Sequence, residues 1–263
     1  MSAYDMFRRM GMGLSRGGPG NGRGPGTGAG GRGRGRGRGG RGGGGSSGPS
    51  TTITKTGGLG IGGWSGSTNY GNQNYGDADA TRIVAVGISW GRTGAVRDIT
   101  SVSIGGVAAT KVADINANST DAAEIWAAEL PTNDNTNLTV VWDGTGGSIS
   151  AKTINIYRIT GCSLSDRTSG TNSGFSTGAK TVSAGAHDAG AALISVGTGN
   201  ENDSVSLACS GTFGTTQAIQ DSGQEHLHGH SWGIAAAAGP TLETYTLTGT
   251  FTVYMAAVAF NPL

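Results

Sequence analysis

From residue 82 onward the chain alternates short apolar, β-branched runs with clusters of Gly, Asn, Asp, Ser and Thr. The runs are RIVAVGISW (82–90), ITSVSIGGVAA (99–109), AAEIWAAEL (122–130), NLTVVW (137–142), KTINIYRIT (152–160), GAALISVG (190–197), SVSLAC (204–209), TLETYTLTG (241–249) and FTVYMAAVAF (251–260). Their length, regular spacing and enrichment in Thr, Val and Ile argue for strands, and TINIYRI has the period-two alternation of a half-buried one. AAEIWAAEL has helix propensity too, but nine residues bounded by DINANSTD and PTNDNTN fit a strand equally well. No long capped helix is evident anywhere in this part of the chain. The pattern predicts an all-β body over residues 81–263, a single β-sandwich of jelly-roll type. Two stretches break the rhythm. The segment 51–80, which contains the glycine-rich TGGLGIGGWSGSTNYGNQNYG, reads as a linker or packed loop, and the polar 161–189 as a long loop.

Composition changes the picture at residue 50. The first fifty residues hold 21 of the 52 glycines and nine of the 18 Lys and Arg, all nine of them arginine, against the single acid Asp5. That segment therefore carries +8. The remainder, with nine basic and sixteen acidic residues, carries −7, so the net charge of +1 conceals two oppositely charged parts. Glycine at nearly every other position raises the entropy cost of ordering residues 11–50, and no apolar group offsets it. An extended Gly/Arg-rich arm over residues 1–50 is the expectation, reaching up to about 165 Å if drawn out fully. Its candidate attachment residues are Tyr4, Met6, Phe7, Arg8 and Arg9 at an apolar tip that continues through Met10, Met12 and Leu14, and Arg32, Arg34, Arg36, Arg38 and Arg41 in the RG run.

Arginines spaced by glycine can neutralise phosphates, and about seven such contacts would give a log–log salt slope near −5 to −6. RNA-binding segments of this type commonly interleave aromatics that stack on bases, and none occurs here between Phe7 and Trp64. Nucleic acid is therefore a possible partner but not the favoured one; an acidic protein surface suits the arm better. No apolar run reaches the length of a membrane span, and the opening MSAYDMFRRMGMGLSR lacks the form of a secretion signal. Neither a membrane protein nor a conventionally secreted one is expected.

Candidate chemistry is sparse. GHSWG at 229–233 matches the GxSxG form of a serine nucleophile elbow, but polar DSGQEHLH precedes it, and downstream of Ser231 only Glu243 remains as an acid, with no His. A triad in another chain order would have to draw on His187. EHLHGH places His226, His228 and His230 at alternate positions, so on a strand all three imidazoles share one face. That makes them candidate ligands for a transition metal, most attractively on a three-fold axis between subunits; a polar strand face or a pH-sensitive interface explains them otherwise. Cys162 and Cys209 are too few for a disulfide framework and lack zinc spacing. They read as two buried thiols, or as one disulfide contributing about 3–4 kcal/mol. Asn118, Asn137 and Asn202 begin sequons but read as turn residues. Trp90, Trp126 and Trp142 lie in apolar runs and are expected in the core. No P-loop, dinucleotide fingerprint or EF-hand is evident, and no cofactor is expected.

The succession AVGISWGR, ITSVSIGGVAATKV, AEIWAAELP, LTVVWDG and INIYRITG resembles the β-sandwich domain that recurs in structural proteins of tailed bacteriophages, tail fibres and head-decorating proteins among them. The resemblance spans about residues 80–165, with the rest matching loosely. It implies a non-enzymatic virion protein, a homo-oligomer and often a trimer, attached through its N-terminal segment to other capsid or tail proteins. The Gly/Arg arm is not part of the resemblance. Capsid decoration is favoured over a tail or neck appendage, because the chain is short and has no coiled-coil shaft. Two other readings remain: a receptor- or glycan-binding fibre tip using loop aromatics such as Tyr70 and Tyr75, and a jelly-roll coat protein with its arm on a genome.

Overall fold

The computed structural model describes residues 50–59, 68–93, 98–116, 121–132, 136–143, 148–200, 207–211, 213–221 and 226–263. The attachment residues Tyr4, Met6, Phe7, Arg8, Arg9, Arg32, Arg34, Arg36, Arg38 and Arg41 lie outside them. The compact body runs from Ser46 to Leu263.

The apolar runs become strands: β1 (Thr52–Leu59), β2 (Thr68–Tyr70), β3 (Ile83–Thr93), β4 (Ile99–Ile104), β5 (Val107–Ala108), β6 (Thr110–Ile115), β7 (Asp121–Glu129), β8 (Leu138–Trp142), β9 (Ser148–Thr160), β10 (Cys162–His187), β11 (Ala192–Asn200), β12 (Leu207–Gly211), β13 (Thr215–Asp221), β14 (His226–Ile234) and β15 (Gly239–Pro262). The fold is all-β, with no helix among the described residues. Where the sequence suggested one sandwich, the strands form three antiparallel sheets. A central sheet has the order β1-β9-β3-β7-β6, a small sheet β2-β8-β4-β5, and a large sheet β10-β15-β11-β14-β13 with β12 paired to β15.

The central sheet is covered on both faces, which is why β3 and β7 read as nearly unbroken apolar runs. Val84, Val86, Ile88 and Trp90 face one way and pack with Val102, Ile104, Leu138, Val140 and Trp142 of the small sheet. Ile83 and Ala85 face the other way, against Ile194, Val196, Val258 and Phe260 of the large sheet. The alternation that would mark a half-buried strand is lost because both faces are buried against other layers. AAEIWAAEL, ambiguous in sequence, lies in strand β7, buried from Asp121 to Ala128. Trp90, Trp126 and Trp142 are core residues, as expected.

Two of the expected loops are strands. Residues 52–59 form the edge of the central sheet, β1 pairing with β9 from Thr52 against Thr160 to Leu59 against Ile154. The polar 161–189 stretch is β10, paired along its length with β15. A straight strand of 26 residues would extend about 85 Å. The ribbon instead folds back on itself: Asn172 Nδ2 donates to the Thr181 carbonyl at 2.5 Å, and Gly170 lies against the Ser183 carbonyl. Gly174 and Gly178, at φ 143° and 113°, supply the turn. The returning half brings Val182, Ala184 and Tyr245 over Leu193, Leu227, Met255 and Ala257, burying the outer face of the large sheet. Ser, Thr and Gly hide this strand from a search for apolar periodicity, because its pairing is backbone-made and few of its side chains are buried.

A local consequence is open to test. Gly233 on β14 lies so close to Phe213 that a Cβ would fall on the Phe213 carbonyl, and backbone cannot swing aside as a side chain would. Gly233→Ala is expected to destabilise the body by about 3 kcal/mol, read as a lowered midpoint in urea. An unchanged midpoint would contradict this packing.

Candidate functional site: a buried histidine seam

β14 lies between β11 and β13 in the large sheet. Its period of two does place His226, His228 and His230 on one face, as the sequence predicted, but that face meets the central sheet rather than solvent. All three are buried, His228 and His230 completely. Room for the rings comes from a stripe of small residues on β3. The His226 ring lies where a Cβ on Gly91 would project, and a Cβ on Gly87 would stand 3.4 Å from His230 Nδ1. Ser89 sits between them. The alternation Gly87, Ser89, Gly91 within AVGISWG was a readable sign of a bulky partner across the sheets.

Each imidazole has a defined polar neighbour. His226 Nδ1 is 3.0 Å from Asp121 Oδ1, both groups buried. His228 Nδ1 is 2.9 Å from Ser89 Oγ. Ser89 Oγ is 2.8 Å from Thr153 Oγ1, which is 2.8 Å from His230 Nε2. The other ring nitrogen of His230 lies 3.3 Å from the Tyr157 hydroxyl. A continuous line of hydrogen bonds thus joins the two rings through two hydroxyls. Burial, then the neighbouring His226, pushes His228 down to about 3. His230 is also held well below its ordinary value, first by burial and then by His228 and Lys55. Both are neutral imidazoles at physiological pH.

The metal reading of His226, His228 and His230 finds no support in this geometry. The facing nitrogens bond Asp121, Ser89 and Thr153 instead. Among the described residues no group of three His, Cys, Asp or Glu side chains is placed to hold a metal ion. Their interior position also removes them from any shared axis or exposed strand face.

Ser231 points away from the imidazoles, on the opposite face of β14. Its Oγ is 2.9 Å from Ser195 Oγ, which is 2.6 Å from the Tyr245 hydroxyl. GHSWG is therefore the middle of an antiparallel strand, not a strand-to-helix elbow. His187, the alternative base, bonds Thr241 Oγ1 at 2.7 Å and the Asp188 carbonyl at 3.0 Å, so the sequence-level triad is not assembled. Cys162 is a buried free thiol, pushed up by burial; the Cys209 side chain is outside the described set. Asn137 is exposed, directly before β8, while Asn118 and Asn202 fall outside the described residues.

A second polar cluster, not foreseen from sequence, centres on Lys111. Its Nζ lies 2.9 Å from Glu124, 3.0 Å from Asp114 and 3.7 Å from Asp98. Trp126 Nε1 donates to the other Glu124 oxygen at 2.6 Å. Burial pushes the Glu124 carboxyl up to about 8, outweighing the lysine beside it. Spaced charges on β6 and β7 gave no warning, since only the sheet pairing brings them together.

The surface offers one built loop. Asn72 holds φ 57°, the one non-glycine residue in the left-handed region among those described. Arg82 donates to the carbonyls of Leu130 and Gly76, and Arg158 Nε to that of Asp77, so the 72–82 turn is clamped from beneath. A groove of about 510 Å³ runs along it, lined by Asn72, Gln73, Asn74, Asp77, Arg82 and Thr136 among others. Tyr75, expected as an exposed aromatic, is buried; its hydroxyl donates to the Asn137 carbonyl at 2.8 Å and is pushed up to about 12, chiefly by burial. Tyr70 is partly buried against the core.

Comparisons with protein-family models, with curated proteins and with solved structures return no match to this chain.

Proposed function

We propose that this chain is a non-enzymatic structural protein of a tailed-phage virion, held on the particle by residues 1–50 and displaying the layered β body. The observation that carries the reading is the break at residue 50, where a +8 glycine-arginine segment meets a −7 body. Opposite charge on two parts of one chain suits a component whose one end docks while the other faces outward. The β body supports it in a second way. Its buried hydroxyls and imidazoles bond one another in the interior, the pattern of groups that hold layers together rather than of an exposed reactive centre. Capsid decoration is the favoured position, with other capsid or tail proteins as partners and a homo-oligomer as the assembled form.

Co-sedimentation with particles stripped of this component tests the proposal. Full-length protein is expected to pellet with them, and protein lacking residues 1–45 to stay in the supernatant while keeping its β-sheet circular dichroism. Equal binding by both forms would remove the arm from attachment. A parallel nucleic-acid titration separates the coat-protein reading: tight binding with a steep salt slope, and no affinity for particles, would move the arm onto a genome.

The groove along residues 72–78 favours one second reading, a receptor- or glycan-binding fibre protein. Clamped carboxamides and a carboxylate suit hydroxyl-rich ligands. Glycan-array binding abolished by Asn74→Ala and Asp77→Ala would support it, and no binding by the wild type would set it aside.

A further inference from the structure

We propose that the seam between the central and large sheets is an acid-released joint, in which the hydroxyl line from His228 to His230 cannot hold both imidazoles protonated. The argument is a proton count. Three hydrogen bonds join the rings: His228 to Ser89, Ser89 to Thr153 and Thr153 to His230. Each bond holds one proton. The two hydroxyls supply two of the three, so only one of the facing ring nitrogens carries a hydrogen. With both rings protonated, both facing nitrogens are donors. A fourth proton then points into a line with room for three, and two cations stand at alternate positions of one buried strand. Both residues are fully buried, away from bulk solvent.

The groups facing the seam from neighbouring elements do not restore the balance. β3 presents Ser89 and β9 presents Thr153 and Tyr157, all neutral. β11 places Thr198 in register with His228. β1 adds a cation, Lys55, whose Nζ lies 6.0 Å from the Trp232 ring centroid at the far end of β14. The acids are at the other end: Asp121 of β7 bonds His226, and Asp221 of β13 is in register with His226. Neither His228 nor His230 bonds a carboxylate; their facing partners are hydroxyls. Acid acts selectively on the inner part of the seam.

The sign follows from the depressed values of His228 and His230. Their contribution is fully present above about pH 6.5, the unfolded value, and is lost as pH falls from there, for His228 toward about 3. Glu124, raised to about 8, works in the opposite direction: its contribution is present below about 4.5 and lost as pH rises to about 8. Between about pH 6 and 5 the seam therefore takes up about two protons on opening, against those released by Glu124 and by Glu243, whose carboxyl burial also raises. The share of the two imidazoles is about a 100-fold fall in the folding constant per pH unit, offset in part by the two carboxyls and read as the difference from a variant that lacks the imidazoles.

Urea unfolding of the full chain at steps between pH 7 and 5, with His228→Gln/His230→Gln beside it, reads this directly. Relative to the double variant, which is expected to lose none or to gain, the wild type is expected to lose stability on that scale. Equal slopes in both would overturn the proposal. Should the variant not fold, imidazole NMR on the wild type decides: His228 and His230 must stay neutral in the folded state down to about pH 5, and titration of either near 6.5 would overturn it. Amide exchange at pH 5 is expected to rise in β14 and β11 before β8 and β4 of the small sheet. Simultaneous loss in all four would mean global unfolding rather than a joint.

Discussion

Trp90→Ala is expected to cost the body about 4 kcal/mol, the range for deleting a fully buried aromatic. Trp90 has no solvent exposure and meets Trp142 edge to face, with centroids 5.1 Å apart and planes at 82°. The contact joins the central sheet to the small one, so truncation removes both the transfer energy of the indole and one side of an aromatic pair, itself about 1 kcal/mol. Collapse cannot fill the void, because β3 is held on both edges by β7 and β9. Typical domains have 5–15 kcal/mol in total, so the variant should unfold at a markedly lower urea concentration. A loss under about 1.5 kcal/mol would mean that the small sheet is not integral to the core.

Gly91→Ala is the second large effect, at about 3 kcal/mol or more. The backbone at Gly91 is ordinary strand, so alanine is conformationally acceptable there. Only space forbids it, because the added methyl would enter the His226 ring. The ring must move off Asp121, and losing that buried hydrogen bond costs about 1–3 kcal/mol, beyond the overpacking itself. The same substitution in an Asp121→Ala/His226→Ala background should cost less than half as much, since the ring and its partner are gone. That non-additivity is the signature of direct contact. Fully additive costs, measured by urea unfolding of the four proteins, would place the ring elsewhere.

Much of the strand inventory was legible from local pattern. VAVGISW and INIYRIT announce strands because β-branched residues at this density suit no other local structure, and the three core tryptophans follow from lying inside such runs. The shared face of His226, His228 and His230 was equally legible, since a strand's period is a property of the backbone alone. Less legible were elements whose stability comes from pairing rather than from side chains. β10 is rich in Ser, Thr and Gly, and only β15 beside it makes a strand of it. Tyr75 sits among Asn and Gly and looks like an exposed loop aromatic; its burial depends on a pocket formed by distant residues.

The chain's sequence by itself determined that the apolar runs extend, which of their residues alternate together, and where a basic glycine-rich segment gives way to an acidic β body. Those are consequences of local sterics, side-chain hydrophobicity and charge, which need no partner to act. Which way a face points was decided only in the tertiary structure. The histidine face of β14 became interior because Gly87, Ser89 and Gly91, some 140 positions earlier in the chain, leave a trough of matching depth. The carboxylates around Lys111 became a cluster because β6 and β7 pair. Packing is a relation between surfaces remote in sequence, and local pattern contains one of the two surfaces at a time.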